Sequence, residues 1–244
     1  MSKAIRVGAL ASGGGSNVQA IVEASRAGRL EAEVVVVISD NEAAGALERA
    51  EKHGIAGVHV EVPKTGTAQW EAANCEIIAC LHEHAVDLVV LAGYMRIVSP
   101  KLLRTFPGAV MNIHPALLPS FAGTHGQRDA NDYGVKLAGA TVHFADEQFD
   151  TGPIIIQGTV PVLDGDTAES LGARILRVEH VIYPQAVQWF AAGRLRIEGR
   201  RVLLDGSPVQ TDARLIWPPP DLSLATARTG VARGSGRVAR NGRG

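Results

Sequence analysis

The stretch VVVVIS at residues 34–39 is apolar at every position but its last, not at alternate ones. A strand with one wet face alternates apolar and polar residues. A run without that alternation must bury both faces, and a parallel sheet covered by helices on each side does so. Neighbouring segments keep the same rhythm. Ile5–Leu10, residues 58–60 and Leu88–Leu91 are short apolar runs, and between them residues 17–26, Gly45–Lys52 and about 68–83 have helical spacing. These segments predict an open, mostly parallel, doubly wound α/β sheet with a Rossmann-like N-terminal half.

The second half is looser. Strands are predicted over 109–113, 140–144 and 154–160, then a long helix over 167–190, in which Leu171, Ile175, Val178, Ile182, Ala186 and Trp189 form one apolar stripe. Thr167, or one of the acids before it, is placed to cap that helix. Residues 194–204 suit a hairpin about Gly199. From about residue 205 the sequence turns to Pro218-Pro-Pro220 and then to Ala, Thr, Gly and Arg without a period. The chain therefore reads as one domain over 1–204, with a half over 1–108 and a half over 109–204, and a flexible tail over 205–244.

Composition narrows the function classes. Hydrophobic residues make up 46% and charged residues 20%, the balance of a globular protein, and a net charge of −1 gives no global attraction to nucleic acid or membrane. No apolar stretch approaches bilayer length, no signal peptide is evident, and there are only two cysteines. A cytoplasmic protein without disulfides, acting on small molecules, is expected; monomer and homodimer both stay open. Cys75 and Cys80 lie near His82 and His84, but helical spacing turns the four to opposite sides, so no metal is expected.

Three places can carry chemistry. ASGGGSN at 11–17 follows the first strand and precedes the first helix, where glycines and free helix N–H groups make an anion cradle; a glycine turn serving only the reversal is the alternative. It is neither a dinucleotide fingerprint, since residue 18 is valine, nor a Walker loop. MNIHP at 111–115 ends a predicted buried strand, so Asn112 and His114 project to one side at the carboxyl end of the sheet. Amide and imidazole together can stabilise an oxyanion and move protons; a turn amide and a packed imidazole are the plainer alternative. The acidic loop DEQFD at 146–150 supplies carboxylates, and one beside His114 would orient its ring, although such a loop can equally be a solvated turn.

Taken in order, SGGGSN near residue 15, LAGYMRI at 91–97, MNIHPALLPSF at 111–121, GTHGQRDA at 123–130, ATVHFADEQFDTGPII at 140–155 and EHVIYP at 179–184 resemble the phosphoribosylglycinamide formyltransferase family of purine synthesis. The resemblance covers roughly residues 4–204 and implies the formyltransferase fold, with 10-formyltetrahydrofolate as co-substrate. It implies a catalytic set of Asn112, His114 and Asp150, and places the phosphoribosylglycinamide on Gly15, Ser16, Asn17 and Glu179. It places the folate on Met95, Arg96, Ile97, Val98 and Asn112 and against Asp146, Glu147, Gln148, Phe149 and Asp150, with His125 in support. One departure stands out: the family carries a ligand-binding arginine three residues before the aromatic that matches Trp70, and here that place holds Thr67, with Lys64 nearby. The related deformylase, which gives the formyl group to water, has His-His where this chain has His114-Pro115. Methionyl-tRNA formyltransferase needs a C-terminal RNA-binding domain, and a non-catalytic folate- or nucleotide-binding protein is the reading from another class.

Overall fold

The computed structural model describes residues 4–206 and Leu215, so most of the predicted tail lies outside the described residues. Its first half runs β1 (Ile5–Leu10), α1 (Ser16–Arg26), β2 (Ala32–Ser39), α2 (Gly45–Lys52), β3 (Ala56–His59), α3 (Ala68–Glu83), β4 (Leu88–Leu91), α4 (Pro100–Thr105) and β5 (Val110–His114). The second half runs α5 (Gly126–Tyr133), β6 (Leu137–Phe144), β7 (Ile154–Pro161), α6 (Ala168–Ala191), β8 (Leu195–Glu198) and β9 (Arg201–Leu204). These strands form one open sheet in the order β3-β2-β1-β4-β5-β6-β7-β9-β8. The five strands at the β3 end are parallel, and β6 and β7 then add antiparallel.

Both faces of the sheet are covered, as the unbroken apolar runs require. On one side Val7, Ala9, Val34 and Val90 pack with α1, α2 and α6; on the other Leu10, Val36, Ile38 and Val89 pack with α3 and α4. The chain steps outward from β1 to β2 to β3, then returns past β1 to β4. That reversal leaves a crevice above the carboxyl ends of β1 and β4, where an open α/β sheet takes its ligands. The walls of the crevice are tied together there: the Ser12 N–H donates to the Gly93 carbonyl at 3.1 Å, and the Met95 N–H donates to Ser12 Oγ at 2.8 Å.

The long helix α6 starts at a capping box, with Thr167 Oγ1 accepting from the Ser170 N–H and Ser170 Oγ accepting from the Thr167 N–H. Its stripe buries Leu171, Ile175, Ile182, Tyr183 and Ala186. Tyr183 does more than fill space. Its hydroxyl lies 3.0 Å from the Leu91 carbonyl and 2.9 Å from the Met111 carbonyl, so α6 pins the ends of β4 and β5 beside each other. The expected hairpin about Gly199 forms from β8 and β9.

Two helices depart from the sequence expectation. Ser99 caps α4 through a bond from the Leu102 N–H, with Pro100 opening the helix, and α5 fills part of the interval between the strands predicted over 109–113 and 140–144. Thr67 has a structural use of its own: its Oγ1 accepts from the Trp70 N–H at 3.1 Å and donates to the Lys64 carbonyl at 2.9 Å, capping α3.

Candidate active site

β5 presents Asn112 and His114 at the carboxyl end of the sheet, one side-chain period apart. Asp150 reaches them by an indirect route. β6 runs antiparallel to β5 with Phe144 opposite Met111, so the chain leaves β6 beside the start of β5 and doubles back over the sheet. The return is tight: a Cβ on Gly152 would sit 1.7 Å from the Phe144 carbonyl oxygen, which leaves room for glycine alone. Asp150 itself holds a left-handed backbone with φ 55°, a conformation that costs a non-glycine residue roughly 1–3 kcal/mol and that structures retain where a side chain must be aimed.

The aim is specific. Asp150 Oδ2 lies 3.3 Å from His114 Nδ1 and accepts from the Gly123 N–H at 3.0 Å, while Oδ1 lies 3.4 Å from Asn112 Nδ2. The other nitrogen of His114, Nε2, faces the Phe121 carbonyl at 2.9 Å. Both ring nitrogens thus meet acceptor oxygens, which fixes the orientation of the ring. Burial alone would raise the Asp150 carboxyl; His143, the Gly123 N–H and His114 outweigh it, and the group is held below its ordinary value.

His143 is the residue that the sequence reading missed. It faces Asn112 directly across the β5–β6 ladder, with Nε2 at 3.1 Å from Asn112 Nδ2 and Nδ1 at 2.9 Å from the Phe144 carbonyl. Nε2 also lies 3.8 Å from Asp150 Oδ1, so the ring stands beside both the Asn112 amide and the carboxylate. Its only advance signal was cross-strand register, which requires knowing that β6 pairs antiparallel with β5.

Two clefts meet at Asn112 and Asp150. The narrower, about 160 Å³, lies between Arg96, Ile97 and Val98 on one side and residues 146–150 on the other, with Leu91, Tyr94 and His143 at its base. The wider, about 390 Å³, runs from His114 and Thr124 past Met95 to Asn17 and Glu179. At its far end Asn17 Nδ2 donates to Glu179 Oε2 at 2.7 Å, and both residues are buried. Burial raises the Glu179 carboxyl, and the Asn17 bond offsets this only in part. Neither Ser16 nor Asn17 caps α1; Gly15, at φ 71°, takes that place without a side-chain bond.

Not every residue expected in the site arrives there. His125 is exposed, with Nδ1 paired to Thr124 Oγ1 at 2.9 Å, and it touches neither Asp150 nor the clefts. Thr67 and Lys64 also lie outside both clefts. Arg96 spends its Nε on Asp40 Oδ2 at 2.6 Å, tying the narrow cleft to the end of β2. Among the described residues no group of three or more His, Cys, Asp or Glu is placed to hold a metal ion, and no helix is long and apolar enough to cross a membrane.

An amide, an imidazole and a carboxylate thus converge at the switch point of an open α/β sheet, where two clefts adjoin. The family model for formyl transferases matches residues 5–187, and the chain belongs to that family. Within it the match is to phosphoribosylglycinamide formyltransferases. The enzyme of that name from Escherichia coli (strain K12) is 41% identical over 197 residues, covering 81% of this chain and 92% of that one. The crystal structure of glycinamide ribonucleotide transformylase 1 from Symbiobacterium toebii is similar at a TM-score of 0.79 and 48% identity, over 84% of this chain and 95% of that one. A formyltetrahydrofolate deformylase from Pseudomonas syringae pv. tomato is also similar, at a TM-score of 0.77 and 30% identity, over 83% of this chain but 66% of its own.

Proposed function

We propose that this protein transfers the formyl group of 10-formyltetrahydrofolate to the amine of 5'-phosphoribosylglycinamide. One observation carries the reading: two clefts of different shape open onto the same Asn112–Asp150 pair, so two substrates can meet at one set of donors. Hydrolysis of the same donor would need only one of them. The flat pterin suits the narrow cleft, against Arg96, Ile97 and Val98 and the 146–150 loop, with Met95 at the boundary. The ribotide suits the wide cleft, with its ribose hydroxyls on Glu179 and its phosphate on the N–H groups of Gly15, Ser16 and Asn17.

In this mechanism the amine attacks the formyl carbon, a C–N bond forms, and the formyl oxygen takes the negative charge. The Asn112 N–H now directed at Asp150 over 3.4 Å is too long for a strong bond and is free to turn to that oxygen. His114 becomes the second donor when the oxygen replaces the Phe121 carbonyl at Nε2, and Asp150 keeps the ring oriented. Collapse breaks the bond to N10 of the folate, and the proton lost by the amine reaches N10 through water held by Asp150.

The test is Asp150→Asn, which retains size and hydrogen bonding but removes the charge that faces His114 Nδ1. Formyl transfer should fall on the order of 10²–10³-fold with the fold intact, the usual scale for losing one such electrostatic element. Turnover like that of the wild type would refute the assignment.

A further inference from the structure

The glycine-rich loop is held from behind by α2. The Ala46 N–H donates to the Gly13 carbonyl at 3.0 Å, and Arg49 Nε donates to the Gly14 carbonyl at 2.7 Å. Gly15 lies so close to the start of the same helix that a Cβ there would come within 2.7 Å of the Ala46 Cα. Arg49 is braced in turn, with Nη1 3.5 Å from Gln19 Oε1, an oxygen that also meets His53 Nε2 at 3.0 Å.

Peptide geometry converts this clamp into a directional device. In a trans peptide the carbonyl and the following N–H point in opposite directions. Fixing the Gly13 and Gly14 carbonyls toward α2 therefore turns the Gly14 and Gly15 N–H groups away from it. A phosphate monoester carries about 1.5–2 negative charges, and among the described residues no Lys or Arg lines the wide cleft, whose wall reaches the end of the loop only at Asn17. The guanidinium on the Gly14 carbonyl is a formal positive charge coupled directly to the loop.

We propose that Arg49 is a positioning residue for the substrate phosphate: it locks the Gly14 peptide so that the Gly15 N–H faces the anion, and it supplies through that peptide the positive charge that the cleft lacks. This rests on the reading that the loop takes the phosphate. Nothing in the reacting end of the site touches Arg49, so its loss should weaken binding of one substrate and spare the chemical step.

The test compares Arg49→Met, Arg49→Lys and Gly14→Asp in the full chain. Arg49→Met should raise KM for phosphoribosylglycinamide about tenfold, the scale of one charge-assisted hydrogen bond, and weaken competitive inhibition by inorganic phosphate by a similar factor. Its kcat and its KM for the folate should stay within about twofold of the wild type. Arg49→Lys, which restores charge without the guanidinium fork, should recover part of the affinity. Should Arg49→Met not fold, Arg49→Gln is read in the same way. Gly14→Asp tests the cradle itself, because a Cβ there meets nothing within 4 Å while a carboxylate would repel the phosphate. If Gly14→Asp weakens phosphate inhibition and the Arg49 variants do not, the role of Arg49 is wrong and the cradle stands. If Gly14→Asp leaves phosphate inhibition intact, the cradle reading fails. An equal rise in both KM values for Arg49→Met would mark general loosening and overturn the proposal.

Discussion

Asp150 and Glu179 are both buried carboxylates on the same cleft, 9% and 6% exposed, yet their surroundings push them in opposite directions. Around Asp150 the donors outweigh burial and favour the charged form; around Glu179 burial wins over its one bond from Asn17. The difference separates two kinds of work. At the strand end the donors around Asp150 maintain its charge beside His114 and Asn112. At the other end Glu179 meets one donor, Asn17 Nδ2, and in the proposed function ligand hydroxyls complete it.

The largest effects should come from the strand end. Asn112→Ala should lower kcat on the order of 10²–10³-fold with circular dichroism unchanged, because it removes an oxyanion donor and leaves the core intact. At the other end Gly15→Val should lose roughly 2 kcal/mol of stability in urea denaturation and most ribotide affinity, since φ 71° and the contact with Ala46 both forbid the side chain. Glu179→Gln retains the oxygen that accepts from Asn17 and should raise KM for the ribotide by about tenfold while kcat changes little. A small kcat change at Glu179 and a large one at Asn112 would sharpen the division; the reverse would break it.

The subtlest expectation is in the pH dependence of stability. A carboxyl lowered on folding stabilises the native state above its unfolded pKa, about 4, and that contribution disappears as pH falls through the lower folded value. A carboxyl raised on folding does the opposite: its contribution is full below the unfolded pKa and disappears as pH rises through the folded value. The stability gap between the wild type and Asp150→Asn should therefore shrink on acidification from neutral pH. The gap for Glu179→Gln should move in favour of the wild type. Denaturation midpoints at neutral and mildly acidic pH check both signs, and parallel shifts would contradict them.

Much of this was legible from the residues. The unbroken VVVVIS run requires a sheet covered on both faces, and β2 lies inside one. The i, i+2 spacing of Asn112 and His114 places both at one strand end, where both are found. Helix α4 was less visible because its six residues are too few to show a period, although Ser99-Pro100 is a start signal in plain view. Tertiary facts lay beyond reach. The place of His143 depends on antiparallel register, the bond between Asn17 and Glu179 spans 162 residues of sequence, and the route of the 145–153 segment depends on room left by Gly152. Glu179 was reached by resemblance alone, since one glutamate on an apolar helix stripe gives no sign of the amide that it meets.

The central claim is that two substrates meet at Asn112 and Asp150, and the most direct measurement is the absorbance change of 10-formyl-5,8-dideazafolate mixed with the protein, with and without 5'-phosphoribosylglycinamide. The account predicts a change only when the ribotide is present, matched by formylated ribotide in equal amount. A change without the ribotide would make water the acceptor, and no change in either case would leave a binding protein; either result would contradict the account.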